Sequence, residues 1–106
     1  MGEWTFLTNH AHVLVVLSRD PRARIRDIAG AVGITERAAL RIVGELEDAG
    51  YLQRTRDGRR NRYTRNLDLP FRHPLEGGHA VSDLIQPLAA ERGARRPARP
   101  EAAATP

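Results

Sequence analysis

Six arginines lie within the twelve residues 54–65, together with a single acidic residue, Asp57. The local charge of +5 exceeds the net charge of +4 of the whole 106-residue chain, so the basic field is concentrated here. Guanidinium groups bind phosphates and the O6 and N7 acceptors of guanine, and phosphate binding requires such a concentrated field. The alternative is an exposed hairpin edge guarded by charge. The residues of this segment predicted to contact DNA, at its backbone or in a minor groove, are Arg54, Arg56, Arg59, Arg60 and Arg62. The arginine expected to enter a narrow minor groove is one at the tip, Arg59 or Arg60.

A second candidate surface lies on a helix predicted over residues 35–49. Thr35 is the predicted N-cap and Gly50 the stop, while Ala39, Ile42, Val43 and Leu46 form the apolar stripe. Away from the stripe, Arg37 and Arg41 are four residues apart and share one face, from which both can reach guanine. The alternative is a pair of solvated arginines bound to Glu36 or Glu45. Thr35 either offers its hydroxyl and N–H to a phosphate or serves only as a cap.

Further elements must position these two surfaces. The segment 24–33 predicts a second helix that ends at Gly33, and its small Ala29 permits a close helix crossing. Asp57-Gly58 predicts the turn of a hairpin with strands over 51–56 and 59–65. A first helix is predicted over 9–18, where a buried strand is the alternative, and a last helix over 79–88, which Pro87 kinks or ends.

The run DIAGAVGITERAALRIVGELEDAGYLQRTRDGRRNRY, residues 27–63, resembles the winged helix-turn-helix bacterial transcription regulators, closest to a short MarR-type variant. The resemblance implies an α+β fold with a three-helix core, an arginine-rich β-hairpin wing and an additional C-terminal helix. It also implies a homodimer on a pseudo-palindromic operator of double-stranded DNA, with the third helix in the major groove. Leu40 departs from the family by standing where a polar residue is common, so it either touches a thymine methyl group or packs under the wing. The DNA contacts predicted on the third helix are Thr35, Glu36, Arg37, Ala38, Leu40 and Arg41.

Residues 1–88 are predicted to form one DNA-binding domain with flanking dimerisation helices. Residues 89–106 are predicted to be a disordered tail, because Ala, Pro and Arg without apolar periodicity cannot bury enough surface. A first helix that is apolar nearly all round must be covered on every side, by a core or by a second subunit. The residues predicted to make core and dimerisation contacts are Trp4, Phe6, Val13, Leu17, Leu84 and Leu88.

Several classes of function are not expected. The absence of cysteine excludes disulfides and thiolate metal sites, and His10 and His12 are two apart on a helix and face different ways, so no metal site is predicted. No catalytic grouping or cofactor motif is found, and an enzyme is not expected. No apolar run is long enough to cross a membrane and no signal peptide is apparent, so we expect a cytoplasmic protein. Two alternatives remain: a winged-helix module that binds a protein and not DNA, and a regulator switched by an unidentified small-molecule effector.

Overall fold

The periodic apolar segments of the sequence form four helices and one β-hairpin within residues 4–90, the part of the chain that the computed structural model describes. The segment predicted as a first helix or a buried strand is a helix. The two strands of the hairpin are antiparallel. None of the helices formed by residues 4–90 has the length and apolar character that crossing a bilayer requires. In chain order the elements are α1 (Asn9–Arg19), α2 (Ile25–Val32), α3 (Glu36–Asp48), β1 (Leu52–Asp57), β2 (Arg60–Arg65) and α4 (Ser82–Ala90).

Local signals set the ends of the two central helices. The Asp27 carboxylate accepts from the Arg24 N–H at 3.1 Å, at the start of α2. Gly33 ends α2 with φ at 87°, a left-handed conformation that glycine adopts without strain. The Thr35 hydroxyl then accepts from the Ala38 N–H at 3.0 Å, which satisfies one of the free donors at the start of α3. The turn between the helices is therefore short and well defined.

The hairpin turns one residue later than the sequence predicts. Asp57 pairs with Arg60, so Gly58 and Arg59 form the turn and Asp57 remains in β1. Gly58 has φ at 66°, which explains why glycine stands at the first turn position. The Tyr63 N–H donates to the Pro21 carbonyl at 2.9 Å, which joins β2 to the segment between α1 and α2.

The core lies where α1 packs against α2, α3 and α4, and its residues with less than 2% exposure include Ile28, Val43 and Ile85. Val13 and Leu17 are 0% exposed and belong to this core. Their assignment to a dimer surface is therefore corrected, because the chain's own helices already cover them.

The last helix differs from its prediction at both ends. It begins at Ser82 and not at His79, because the Val81 and Ser82 N–H groups donate to the Leu69 and Leu67 carbonyls and hold that segment extended. It continues past Pro87 to Ala90, so Pro87 does not end it. Ala89 and Ala90 are thus helical and do not belong to the predicted tail. Residues 91–106, the rest of that tail, lie outside the described residues.

Candidate nucleic-acid interface

One face of α3 is largely exposed to solvent. Thr35, Glu36, Arg37, Leu40 and Arg41 are exposed, and Ala38 is half-buried. The opposite face carries the buried Ala39, Ile42, Val43 and Leu46. All six residues predicted on this helix therefore lie at or near the surface, from the N-cap through the first turns.

Arg37 and Arg41, the two arginines on α3 that are predicted to contact guanine, differ in their contacts within the fold. Arg41 donates from Nη1 to Oε2 of Glu45 at 3.2 Å, while Arg37 has no ion-pair partner within residues 4–90. The other oxygen of Glu45 lies 2.6 Å from Nε2 of His10 on α1. The hydrogen bond from His10 and then that from Arg41 hold the pKa of Glu45 below its ordinary value. Arg37 is thus free to bind a ligand, whereas Arg41 must leave Glu45 first.

Leu40 does not pack under the wing. Its side chain is 55% exposed, on the same solvent-facing side of α3 as Arg37. The packing alternative for this residue is therefore wrong. A large exposed apolar side chain between arginines can contact a thymine methyl group or an apolar protein surface.

The arginines of the hairpin divide between its two faces. Arg54 and Arg56 lie on the same face as the buried Leu52 and Tyr63, next to α3. Arg54 is bound to Glu47 of α3 at 3.2 Å, and Arg56 donates to the Gly58 carbonyl at 3.1 Å. Arg62 lies on the other face, is exposed and has no ion-pair partner in the part of the chain that the structure describes.

Arg60 does not project from the tip of the hairpin. Its Nη2 donates to the Arg22 carbonyl at 2.6 Å, and the residue is half-buried. Of the two arginines predicted to enter a minor groove, only Arg59 therefore extends from the tip of the hairpin. Arg59 occupies the turn, is exposed, and makes no side-chain hydrogen bond to any residue of 4–90.

The structure adds two basic residues that the sequence analysis did not assign to the site. Arg22 and Arg24 precede α2 and line a cleft of about 180 Å³ together with Arg59 and Arg60. The Nε of Arg60 is buried there without a hydrogen-bond partner among the described residues. The alternation of arginine in Pro21-Arg22-Ala23-Arg24 was the available signal, but nothing local indicates that this segment lies beside the hairpin.

This arrangement suits the chemistry of an anionic polymer. Guanidinium groups from the start of α2, from α3 and from the hairpin are distributed over separate elements of one small fold. Phosphate oxygens accept charge-assisted hydrogen bonds from such groups, and the exposed start of a helix can enter the major groove of a duplex. Within residues 4–90 no three His, Asp or Glu side chains are grouped so that they could hold a metal ion.

Comparisons with known proteins agree with this geometry. Residues 8–53, from the start of α1 into β1, match the protein family described as winged helix-turn-helix DNA-binding. The crystal structure of MepR, a transcription regulator of the Staphylococcus aureus multidrug efflux pump MepA, superposes with a TM-score of 0.54. The chain has the winged-helix fold. The predicted fold class is therefore confirmed, with α2 and α3 as the helix-turn-helix and β1 and β2 as the wing.

The likeness to MepR is one of fold. The two chains are 17% identical, and the match covers 78% of this chain and 55% of MepR. This chain therefore spans about half of MepR's length. A sequence comparison with curated proteins finds no significant match.

The remaining predicted dimerisation residues belong to the segment before α1 and to α4. Trp4 and Phe6 are 73% and 91% exposed, and their rings meet edge to face with centroids 4.9 Å apart. Leu84 and Leu88 on α4 are half-buried. These four side chains, unlike Val13 and Leu17, have surface that a second protein can cover.

Proposed function

We propose that this winged helix is a sequence-specific DNA-binding transcription regulator, a short variant of the MarR type. The observation that carries the proposal is that Arg37 on α3 and Arg59 and Arg62 on the wing are exposed and have no ion-pair partner among residues 4–90, in a fold of the winged helix-turn-helix DNA-binding class. Such a distribution places one cation on the reading helix and others on the hairpin that flanks it. Two kinds of contact with a duplex follow.

The first kind is base reading by α3 in the major groove. Its first turn is exposed from Thr35 onward, so Arg37 can present its guanidinium to guanine O6 and N7. Leu40 offers an apolar contact to a thymine methyl group. Arg41 joins the interface by exchanging the Glu45 carboxylate for DNA. Thr35, Glu36 and Ala38 complete the contact surface at the start of the helix.

The second kind is contact with the backbone by the wing. Arg59 at the turn suits a narrow minor groove, and Arg62 suits a phosphate on the exposed face of the hairpin. Arg54 and Arg56 contact DNA from the opposite face of the hairpin, where they are bound to Glu47 and to the Gly58 carbonyl. In this proposal a phosphate binds in the cleft beside α2, which is lined by Arg22, Arg24 and Arg60. The Nε of Arg60, which has no hydrogen-bond partner among the described residues, donates to a phosphate oxygen.

The regulator acts as a homodimer in this proposal. The exposed Trp4 and Phe6 pair and the half-buried Leu84 and Leu88 supply the apolar surface that a second copy would cover. Two-fold symmetry would then present two α3 helices to half-sites about one helical turn apart on a pseudo-palindromic operator.

A second candidate function is a winged-helix module that binds a protein and not DNA. Leu40 favours it, because 55% of this large apolar side chain is exposed at the centre of the reading face. Arg37 and the arginine-rich wing favour DNA. The two candidate functions differ in whether the purified chain binds double-stranded DNA.

Selection of bound DNA from a random duplex pool, with affinity followed against salt, tests the proposal. Enrichment of a palindrome with half-sites about ten base pairs apart is the expected result. Salt-sensitive binding with no enriched site would contradict sequence reading and leave a non-specific DNA binder. Absence of binding even at low salt would overturn the regulator and favour the protein-binding module.

A further inference from the structure

Leu40 is a large apolar side chain that faces solvent from α3. Four such side chains are exposed within residues 4–90, and Leu40 is the one among them that belongs to a helix. The others are Trp4, Phe6 and Leu75. Removing apolar surface from water is favourable, so a partner that covers Leu40 gains free energy that folding leaves unused.

Leu40 shares one face of α3 with Arg37 and Gly44. The three residues follow the spacing i, i+3 and i+7, which places them along one side of a helix. Arg37 is exposed and has no ion-pair partner within residues 4–90. Along the helix this face therefore presents a guanidinium, an apolar group and a position without a side chain.

Gly44 has no packing role within the described residues. It lies inside α3, and a Cβ added there would meet no other atom within 4 Å. Glycine in the interior of a helix is destabilising relative to alanine. Neither the packing nor the backbone of α3 therefore requires glycine at this position, whereas a partner that approaches the helix closely does.

Side-chain length determines how close that partner must be. Leucine is shorter than arginine, so Leu40 and Arg37 contact the same duplex only where the backbone of α3 lies close to it. The missing side chain at Gly44 permits this approach. The apolar group that a base pair presents in the major groove is the C5 methyl group of thymine. Cytosine carries the same group when it is methylated at C5.

The spacing of Arg37 and Leu40 limits which base pairs they can contact. The Cβ atoms of residues three apart on a helix are separated by about 5–6 Å. Stacked bases of one strand are separated by about 3.4 Å. The two side chains therefore contact base pairs that are one or two steps apart.

We propose that Leu40 reads the C5 methyl group of a pyrimidine one or two base pairs from the guanine that Arg37 binds. Leucine has no donor or acceptor, so it does not distinguish the O4 of thymine from the amino group of cytosine. Thymine and 5-methylcytosine are therefore equivalent at this position, and methylation of a cytosine there strengthens binding. This inference deepens the proposed DNA-binding function and rests on it.

Changes to single groups of the duplex test the methyl contact. Each thymine of a selected site is replaced in turn by uracil, which removes only the methyl group, and the dissociation constant of the full chain is measured. We expect replacement of one thymine to weaken binding by about three- to fivefold, the effect of one buried methyl group. At that position 5-methylcytosine paired with guanine should bind within about twofold of thymine, and unmethylated cytosine should bind as weakly as uracil.

The outcomes distinguish this inference from the proposed function. Binding of the selected duplex with no loss at any uracil, or equal binding of cytosine and 5-methylcytosine, would overturn the inference alone. So would a responsive thymine more than two base pairs from the guanine at which Arg37→Ala loses discrimination. Absence of binding to any duplex would overturn both and favour a protein partner at Leu40.

A matched pair of leucine variants separates direct contact from an effect of the methyl group on DNA shape. Leu40→Asn replaces the apolar side chain with a polar one of similar size, and Leu75→Asn makes the same change at an exposed leucine outside α3. We expect the preference for thymine over uracil to fall below about 1.5-fold in Leu40→Asn and to stay at about three- to fivefold in Leu75→Asn. An unchanged preference in Leu40→Asn would assign it to DNA shape and overturn the inference. Circular dichroism checks that both variants fold.

A pair of glycine variants tests the close approach at Gly44. Gly30 is exposed within α2, and a Cβ added there would also meet no atom within 4 Å. Gly44→Ala and Gly30→Ala should therefore both raise the thermal midpoint, by about 4–8 °C. Only Gly44→Ala should weaken binding of the selected duplex, by at least about fivefold, because its methyl group meets the DNA. Unchanged binding in Gly44→Ala would overturn the close approach and with it the methyl contact.

Discussion

The guanidinium of Arg60 is bound to the main-chain carbonyl of Arg22, with 2.6 Å between Nη2 and the oxygen. The contact joins the wing to the segment that leads into α2. Asp57 strengthens the junction through an ion pair with the Arg22 guanidinium at 3.3 Å. Of two adjacent arginines, one therefore fixes the hairpin and only the other, Arg59, extends freely from it.

Substitution of these neighbours should have different effects. Arg59→Ala is expected to weaken binding to all duplexes about equally and to lower the slope of log K against log salt by about one for each phosphate that is no longer neutralised. Arg60→Ala should also loosen the wing, because it removes the bond to Arg22. Fluorescence anisotropy over a salt series, with hydrogen exchange of the Tyr63 amide, distinguishes them. Faster amide exchange in Arg59→Ala than in Arg60→Ala would contradict these roles.

Loss of Arg37 should relax base preference. Arg37→Ala is expected to lose about 1–3 kcal/mol of discrimination at particular base pairs of a selected site, because its guanidinium has no competing partner among residues 4–90. Arg41→Ala should have a smaller effect, since Arg41 gives up its bond to Glu45 on binding. Competition between the selected duplex and single-base variants measures both. Arg72→Ala, an exposed arginine outside α3 and the wing, is the control and should leave base preference unchanged.

Leu17 should be important for stability and Leu75 should not. Leu17 is 0% exposed in the core and Leu75 is 90% exposed in the segment before α4. Leu17→Ala is expected to lower the free energy of unfolding by about 2–5 kcal/mol, because it reduces apolar burial and leaves a cavity. Leu75→Ala should change it by less than about 0.5 kcal/mol. Urea denaturation followed by circular dichroism gives both values, and a small decrease in Leu17→Ala would contradict the assignment of Leu17 to the core.

The ionisation of Glu45 should depend on His10. Because hydrogen bonds from His10 and Arg41 lower its pKa, Glu45 stays charged further into acid than an isolated glutamate. The stability linked to this carboxylate is present above its ordinary pKa and is lost as the pH falls through the lowered value. His10→Ala should move the pKa of Glu45 back toward its ordinary value, as read from the carboxyl carbon in an NMR titration. The ring of His12 contacts Asn9 at 3.0 Å and not Glu45, so His12→Ala should leave the pKa of Glu45 unchanged.

Trp4 is the chain's single tryptophan, so its fluorescence reports directly on the predicted dimer surface. With 73% of the residue exposed, emission at high dilution should resemble that of tryptophan in water. Rising protein concentration should shift the emission to shorter wavelength as a second copy covers the ring. Phe6→Ala should require higher concentration for the same shift, because it removes the edge-to-face partner at 4.9 Å. An emission wavelength that does not depend on protein concentration would contradict a dimer surface at Trp4.

The helix-turn-helix could be predicted because its signals are local. Gly33 with a positive φ, the Thr35 cap and Gly50 with φ at 90° each act within a few residues of their own position. The hairpin was similarly predictable from Gly58, although the turn lies one residue later. Local chemistry therefore determined the order and the limits of the central elements.

Three details that the sequence could not supply depend on remote contacts. Arg59 and Arg60 are adjacent arginines that the sequence does not distinguish. The hydrogen bond to the Arg22 carbonyl is what holds Arg60 against the rest of the fold. Val13 and Leu17 lie on a helix that is apolar nearly all round, so the sequence could not tell burial by this chain from burial by a second copy. The late start of α4 results from hydrogen bonds to Leu67 and Leu69, which no helical periodicity reveals.

The hydrogen bond from Tyr63 to the Pro21 carbonyl closes the chain into a ring that contains α2, α3, β1 and the turn of the hairpin. The entropy of closing such a ring grows only with the logarithm of its length, so a few residues added at Gly58 and Arg59 would scarcely alter its cost. Natural variation can therefore lengthen or shorten the reach of the wing without unfolding the domain. A proteolytic cut at the same turn would therefore leave α3 and the two strands held by packing and hydrogen bonds alone.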